Sequence, residues 1–149
     1  MLNFFCFMTR SRAAFTLIEL LIVMTVIGII AAVAVPQFAG LMNKSKEAAT
    51  KGHLGELRSA IQLYYGNNDG YYPTDALSVI VPKYLSALPV VKLPGYSQDS
   101  NTVHAGNSST AVDGAGGWAY NNTRDDSQWG ELHVNCLGTD SAQRQWTEY

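Results

Sequence analysis

Cysteine is almost missing from this sequence, and so is any surplus of charge. Only Cys6 and Cys136 occur. With Cys6 ahead of a long apolar run, either cleaved away or held across a membrane, no intramolecular disulfide is available to the rest of the chain. His133 and Cys136 share an H-x-x-C spacing. Two ligands without a second pair are too few for a structural zinc site, so both are read as strand residues of a small core. Ten Lys and Arg stand against 12 Asp and Glu, for a net charge of −2. That balance excludes nucleic acid as the main partner, which requires a basic face. No Ser/His/Asp set, no paired carboxylates on one element and no glycine-rich phosphate loop can be named, so the chain is not read as an enzyme. The sharpest scarcity is local: between Phe15 and Val35, Glu19 is the sole charged residue.

Thr16 and Thr25 are the only other polar side chains in that run. A bilayer core needs about 20 apolar residues as a helix, so Phe15–Val35 reads as a membrane span. A carboxylate at the centre of such a helix would cost roughly 3 kcal/mol. Glu19 is near one end, where the cost is lower but still calls for a partner. Three readings apply. One is a plain single-pass anchor. Another is a secretory signal with Arg10 and Arg12 as its basic region and a cleavage site around Ala32 and Ala34. The run is longer than the usual apolar region of such a signal, and it contains Glu19.

The third reading accounts for more residues. "AAFTLIELLIVMTVIGIIAAVAVPQF" resembles the N-terminus of type IV pilins and type II secretion pseudopilins. The matching parts are the basic leader, then Phe15-Thr16-Leu17-Ile18-Glu19, then the apolar helix with Gly28 and Pro36. The resemblance implies cleavage between Ala14 and Phe15 by prepilin peptidase, N-methylation of Phe15 and retention of the apolar segment. Ala14 departs from the glycine usual at that position, which bears on the rate of processing. The opening "MLNFFCF" is unlike a short basic leader, and Met8 is an alternative start. Lys44, Lys46 and Lys51 follow the run, against Arg10 and Arg12 before it, so charge counting alone favours the opposite orientation to the motif. The motif implies a bacterial inner-membrane protein, single-pass, with its C-terminal domain in the periplasm.

The cleaved chain carries an amine at Phe15, one helical turn from Glu19. That amine, in the same or a neighbouring subunit, is the expected partner of the carboxylate. Glu19 and Phe15 are thus the expected assembly residues, since a buried charge is tolerable only when paired. Gly28 and Pro36 are the expected weak points of the helix, with a kink near Ala32–Pro36.

The predicted organisation is a leader at 1–14, a membrane or filament-core helix at 15–35, its amphipathic continuation at 36–65 and a globular domain at 66–149. Leu54, Leu57, Ile61 and Tyr64 recur at helical spacing as one apolar stripe, with Lys51, Glu56 and Arg58 placed opposite. "GNNDG" ends the helix. Thr74 or Asp75 is a candidate cap for "ALSVIV". Residues 94–117 read as an exposed loop. "GGWAYN" and "GELHVN" alternate as two strands of an antiparallel hairpin, with a further strand expected from "QRQWTEY" or from Thr102–His104. The fold class is therefore α+β, pilin-like: a long kinked helix whose C-terminal half packs on a small antiparallel sheet. "LGTDS" resembles the calcium-binding loop of the major type II pseudopilins, which would make Asp140 a calcium ligand with Glu148 as a second carboxylate. No other cofactor is implied.

By resemblance the protein is a structural subunit of a pilin-like filament, either a secretion pseudopilus or a type IV pilus for adhesion or motility. The implied partners are further copies of itself, minor pilins or pseudopilins, the peptidase and methyltransferase, and an inner-membrane assembly platform with its ATPase. A binding or enzymatic domain tethered by the same helix is the rival class.

Overall fold

The computed structural model describes residues 15–95, 99–107 and 111–149. Its contacts divide the chain after Ala39 into two compact units. Helix α1 runs Leu17–Asn67, two residues beyond the expected end, and passes Gly28 and Pro36 without interruption. In the first unit its apolar side chains are exposed, Leu17 at 82% and Ile29 at 69%. It is long and apolar enough to cross a membrane. Its hydroxyls are compatible with that solvent, because the Thr25 hydroxyl donates to the Ile22 carbonyl at 2.8 Å and is satisfied within the helix.

The second unit is built on the later turns of α1. Leu54, Leu57, Ala60 and Ile61 are buried, as the 3.6-residue period requires, and Tyr64 packs beside them. Against this stripe lies a three-stranded sheet in the order β1-β2-β3, with β1 Val103–Gly106, β2 Trp118–Asn121 and β3 Leu132–Val134. The expected hairpin is present: β2 and β3 run antiparallel, Trp118 opposite Val134 and Tyr120 opposite Leu132. The third strand differs from expectation. It comes from the Thr102–His104 region but joins β2 in parallel, Val103 opposite Trp118, so the sheet is mixed rather than antiparallel. The parallel direction follows from the connection. Between β1 and β2 the chain makes a return excursion, pinned by buried Asn135, instead of a tight turn. Asn135 Oδ1 accepts from the N–H groups of Asp113 and Gly114, each at 2.9 Å, while its Nδ2 donates to Asp113 Oδ1 and the Gly116 carbonyl.

Central strand β2 is buried along its whole length. Its two aromatics face polar work at their tips: Trp118 Nε1 donates to the Pro89 carbonyl and the Tyr120 hydroxyl to that of Pro73, both at 2.8 Å. Residues 94–117, read as an exposed loop, thus hold β1 and buried Ala111. Asp75 does cap the turn that follows it, accepting from Ser78 Oγ and the Val79 N–H. The tail adds no strand. It forms a 3-10 turn, Trp146–Glu148, that buries Trp146 in the core.

Candidate functional site

The start of α1 is organised by its own side chains. Thr16 stands just before the first helical residue and Glu19 three positions on, forming a capping box. The Thr16 N–H and hydroxyl donate to Glu19 Oε2 at 2.8 and 2.7 Å, and the Glu19 N–H donates back to Thr16 Oγ1 at 3.2 Å. Two backbone donors that a helix end leaves unpaired are thereby satisfied. The T-x-x-E spacing of "TLIE" carries this signal in the sequence, alongside the amine expected at Phe15. Both bonds from Thr16 fall on Oε2, and Oε1 takes no bond among the described residues. Phe15 is exposed. Ala14, Arg10, Arg12, Met8 and Cys6 lie outside the described residues. Gly28 and Pro36 both fall inside α1, and a side chain at Gly28 would meet nothing within 4 Å in the isolated chain.

A second constellation lies wholly in the later unit, on the face of α1 that carries Glu47, Lys51 and Arg58. Lys51 and Arg58 were expected opposite the apolar stripe. Three- and four-residue steps from Leu54 instead place them beside it; Glu56 and Arg58 are both exposed, but the Arg58 guanidinium reaches back to the Leu132 carbonyl. All three charged side chains reach the segment 132–149. Glu47 is buried and accepts from the Ser141 N–H at 3.0 Å and its hydroxyl at 2.6 Å. Lys51 Nζ meets Asp140 Oδ2 at 2.6 Å and the Tyr149 hydroxyl at 2.8 Å. Arg58 donates to the Leu132 carbonyl and to the main-chain oxygen of Tyr149. Hydrogen bonds from Lys51 and Tyr149 hold the Asp140 carboxyl well below the usual carboxylate range.

This geometry does not fit the calcium expectation for Asp140. Calcium takes six to eight oxygens, whereas both Asp140 oxygens already accept donors and one donor is a cation. Glu148 is exposed. Among the described residues no group of three or more His, Cys, Asp or Glu is placed to hold a metal ion. His133 and Cys136 do not converge on one either. His133 Nε2 lies 3.2 Å from Glu131 and Nδ1 3.2 Å from the Tyr149 main-chain oxygen, while buried Cys136 Sγ accepts the Gly138 N–H.

Residues 9–35 match the family model described as the prokaryotic N-terminal methylation motif. Among curated proteins, the chain is 42% identical over 65 residues to the type IV major pilin protein PilA of Myxococcus xanthus, covering 44% of this chain and 29% of that one. It is 33% identical over 75 residues to type II secretion system core protein G of Pseudomonas aeruginosa, covering 50% and 53%. The type IV major fimbrial protein FimA of Dichelobacter nodosus is 40% identical over 55 residues, covering 37% and 35%. The matches span only about half or less of these relatives' length. Each is nonetheless longer than the motif, so the likeness extends beyond it. No solved structure gives a significant match. The chain thus carries the prokaryotic N-terminal methylation motif in register with the capped, apolar start of α1, with a small sheet after α1, and is similar in sequence to type IV pilins and type II secretion pseudopilins over half of its length or less.

Proposed function

We propose that the protein is a structural subunit of a pilin-like filament. It is inserted in the inner membrane through residues 15–35 with residues 40–149 on the periplasmic side. Prepilin peptidase cleaves it between Ala14 and Phe15, Phe15 is methylated, and a platform protein with its ATPase polymerises it with further copies and minor subunits. The observation that carries this reading is Glu19: a carboxylate at the head of an exposed apolar helix, with one oxygen held by Thr16 and the other left for a second donor. The amine released at Phe15, in the same subunit or a neighbour, supplies that donor. Likeness to core protein G supports a secretion pseudopilus, and likeness to PilA supports a surface pilus. Deleting the gene and following secreted proteins and surface filaments separately decides between the two.

Glu19→Gln tests the pairing cleanly. Glutamine serves in a capping box as glutamate does, so the helix start is kept and only the charge is lost. The variant should insert and be cleaved to a chain beginning at Phe15, by intact mass, yet yield at least about tenfold fewer filaments as sole subunit. Normal filament yield would refute the pairing.

A further inference from the structure

Asp140 stands where a divalent cation was expected, and its surroundings are those of a cation site already filled from within the chain. Its side chain is fully buried. Oδ1 accepts the N–H groups of Ala142 at 2.8 Å and Arg144 at 3.0 Å. Oδ2 accepts Lys51 Nζ at 2.6 Å and the Tyr149 hydroxyl at 2.5 Å. Four donors on two oxygens use up the roughly four lone-pair positions of a carboxylate. The ammonium is further enclosed by aromatic faces, 4.1 Å from the Tyr149 ring centroid and 5.4 Å from that of Trp146. A carboxylate, a phenol oxygen and two ring faces around one positive centre make a complete set of partners for a monovalent cation. A calcium ion binds carboxylate oxygen at about 2.3–2.6 Å. It would have to take the space that Nζ holds and repel the ammonium there.

We propose that Lys51 is the resident cation of this segment, so that the fold of residues 139–149 needs no divalent ion. Charge balances one to one, Lys51 against Asp140, with Glu47 bound separately to Ser141. The inference does not rest on the filament reading, because it concerns the fold of one chain.

The test compares the melting temperature of the full-length protein in detergent micelles with excess calcium and with excess EDTA. The two should agree to within about 1 °C, whereas a resident calcium site filled to a hundred times its Kd would separate them by several degrees. Such a calcium-dependent rise would overturn the proposal. A double-mutant cycle supplies the second arm. Lys51→Met should lower the melting temperature by about 4 °C or more, Lys51→Arg by less, and the loss from Lys51→Met should shrink when Asp140→Asn is already present. Strictly additive losses would show that Lys51 does not serve Asp140 and would also overturn it. The calcium and EDTA comparison needs no variant, so a poorly folding Lys51→Met chain leaves the proposal open to refutation.

Discussion

Tyr120 shows how much one side chain in β2 is asked to do. Its ring lies in the core opposite Leu132, and its hydroxyl donates to the Pro73 carbonyl. Burial, reinforced by the charge of Asp75, pushes the phenol well above its ordinary value. A folded-state pKa above the unfolded one means the folded chain holds that proton more tightly. The associated stability is complete below about pH 10 and is lost as pH rises above it, by up to about 1.4 kcal/mol per pH unit. Tyr120→Phe should cost about 1 kcal/mol near neutrality by losing the hydrogen bond. It should also flatten the alkaline decline of stability expected in denaturant melts above roughly pH 10, the ordinary tyrosine value. An alkaline limb equally steep in the variant would assign the loss to other groups, Lys51 first among them. That tyrosine was legible as a core residue from alternation in "WAYN". Its bond to Pro73 was not, because no local pattern relates positions 47 residues apart.

Helix α1 was largely legible, since 3.6-residue periodicity is a local signal and Leu54, Leu57 and Ile61 obey it. The capping box was legible too, as a fixed four-residue spacing at the head of an apolar run. What escaped was the use made of the helix by segments far along the chain. Thr50 is the clearest case. Its hydroxyl donates to the Lys92 carbonyl at 2.7 Å and accepts the Lys92 N–H at 2.9 Å, so one side chain supplies both bonds of a strand-like bridge. On its other side the same strip pairs Val91 with Ser100. Residues 90–92 are thereby held between helix and loop by main-chain bonds rather than by side-chain burial alone. Thr50→Val keeps the volume and removes both bonds, leaving the part-buried N–H and C=O of Lys92 without this partner. It should destabilise by about 2–4 kcal/mol, and amide exchange of Lys92 should accelerate far more than that of β2. A thermal midpoint unchanged by the substitution would mean that water replaces the hydroxyl. The parallel direction of β1 was equally illegible: hairpin chemistry fixes the pairing of neighbours in sequence, and nothing local fixes the orientation of a strand that arrives after a loop.

At the scale of the molecule, residues 40–149 contain every buried hydrophobic side chain among the described residues. Their core joins α1, all three strands and Trp146. A chain beginning at Gly40 should therefore be soluble and unfold in one cooperative step by circular dichroism. A broad, non-cooperative melt would show that the earlier turns of α1 are needed to stabilise the later ones. The order in which this core can close is set by the bonds that Glu47, Lys51 and Arg58 make with Asp140, Ser141 and Tyr149, partners 89 to 98 residues away. Synthesis delivers the helix first. Its stripe must wait uncovered while Trp118, Leu132 and Trp146 are still to be made, and contacts this distant along a chain form slowly and leave apolar surface open in the interval. The newborn protein therefore has two greasy surfaces with different fates: a bilayer can take up the first at once, but the second is covered only as residues 118–146 emerge. A ribosome that stopped before residue 139 would release a chain holding every strand of the sheet and lacking the clasp that fastens it to the helix.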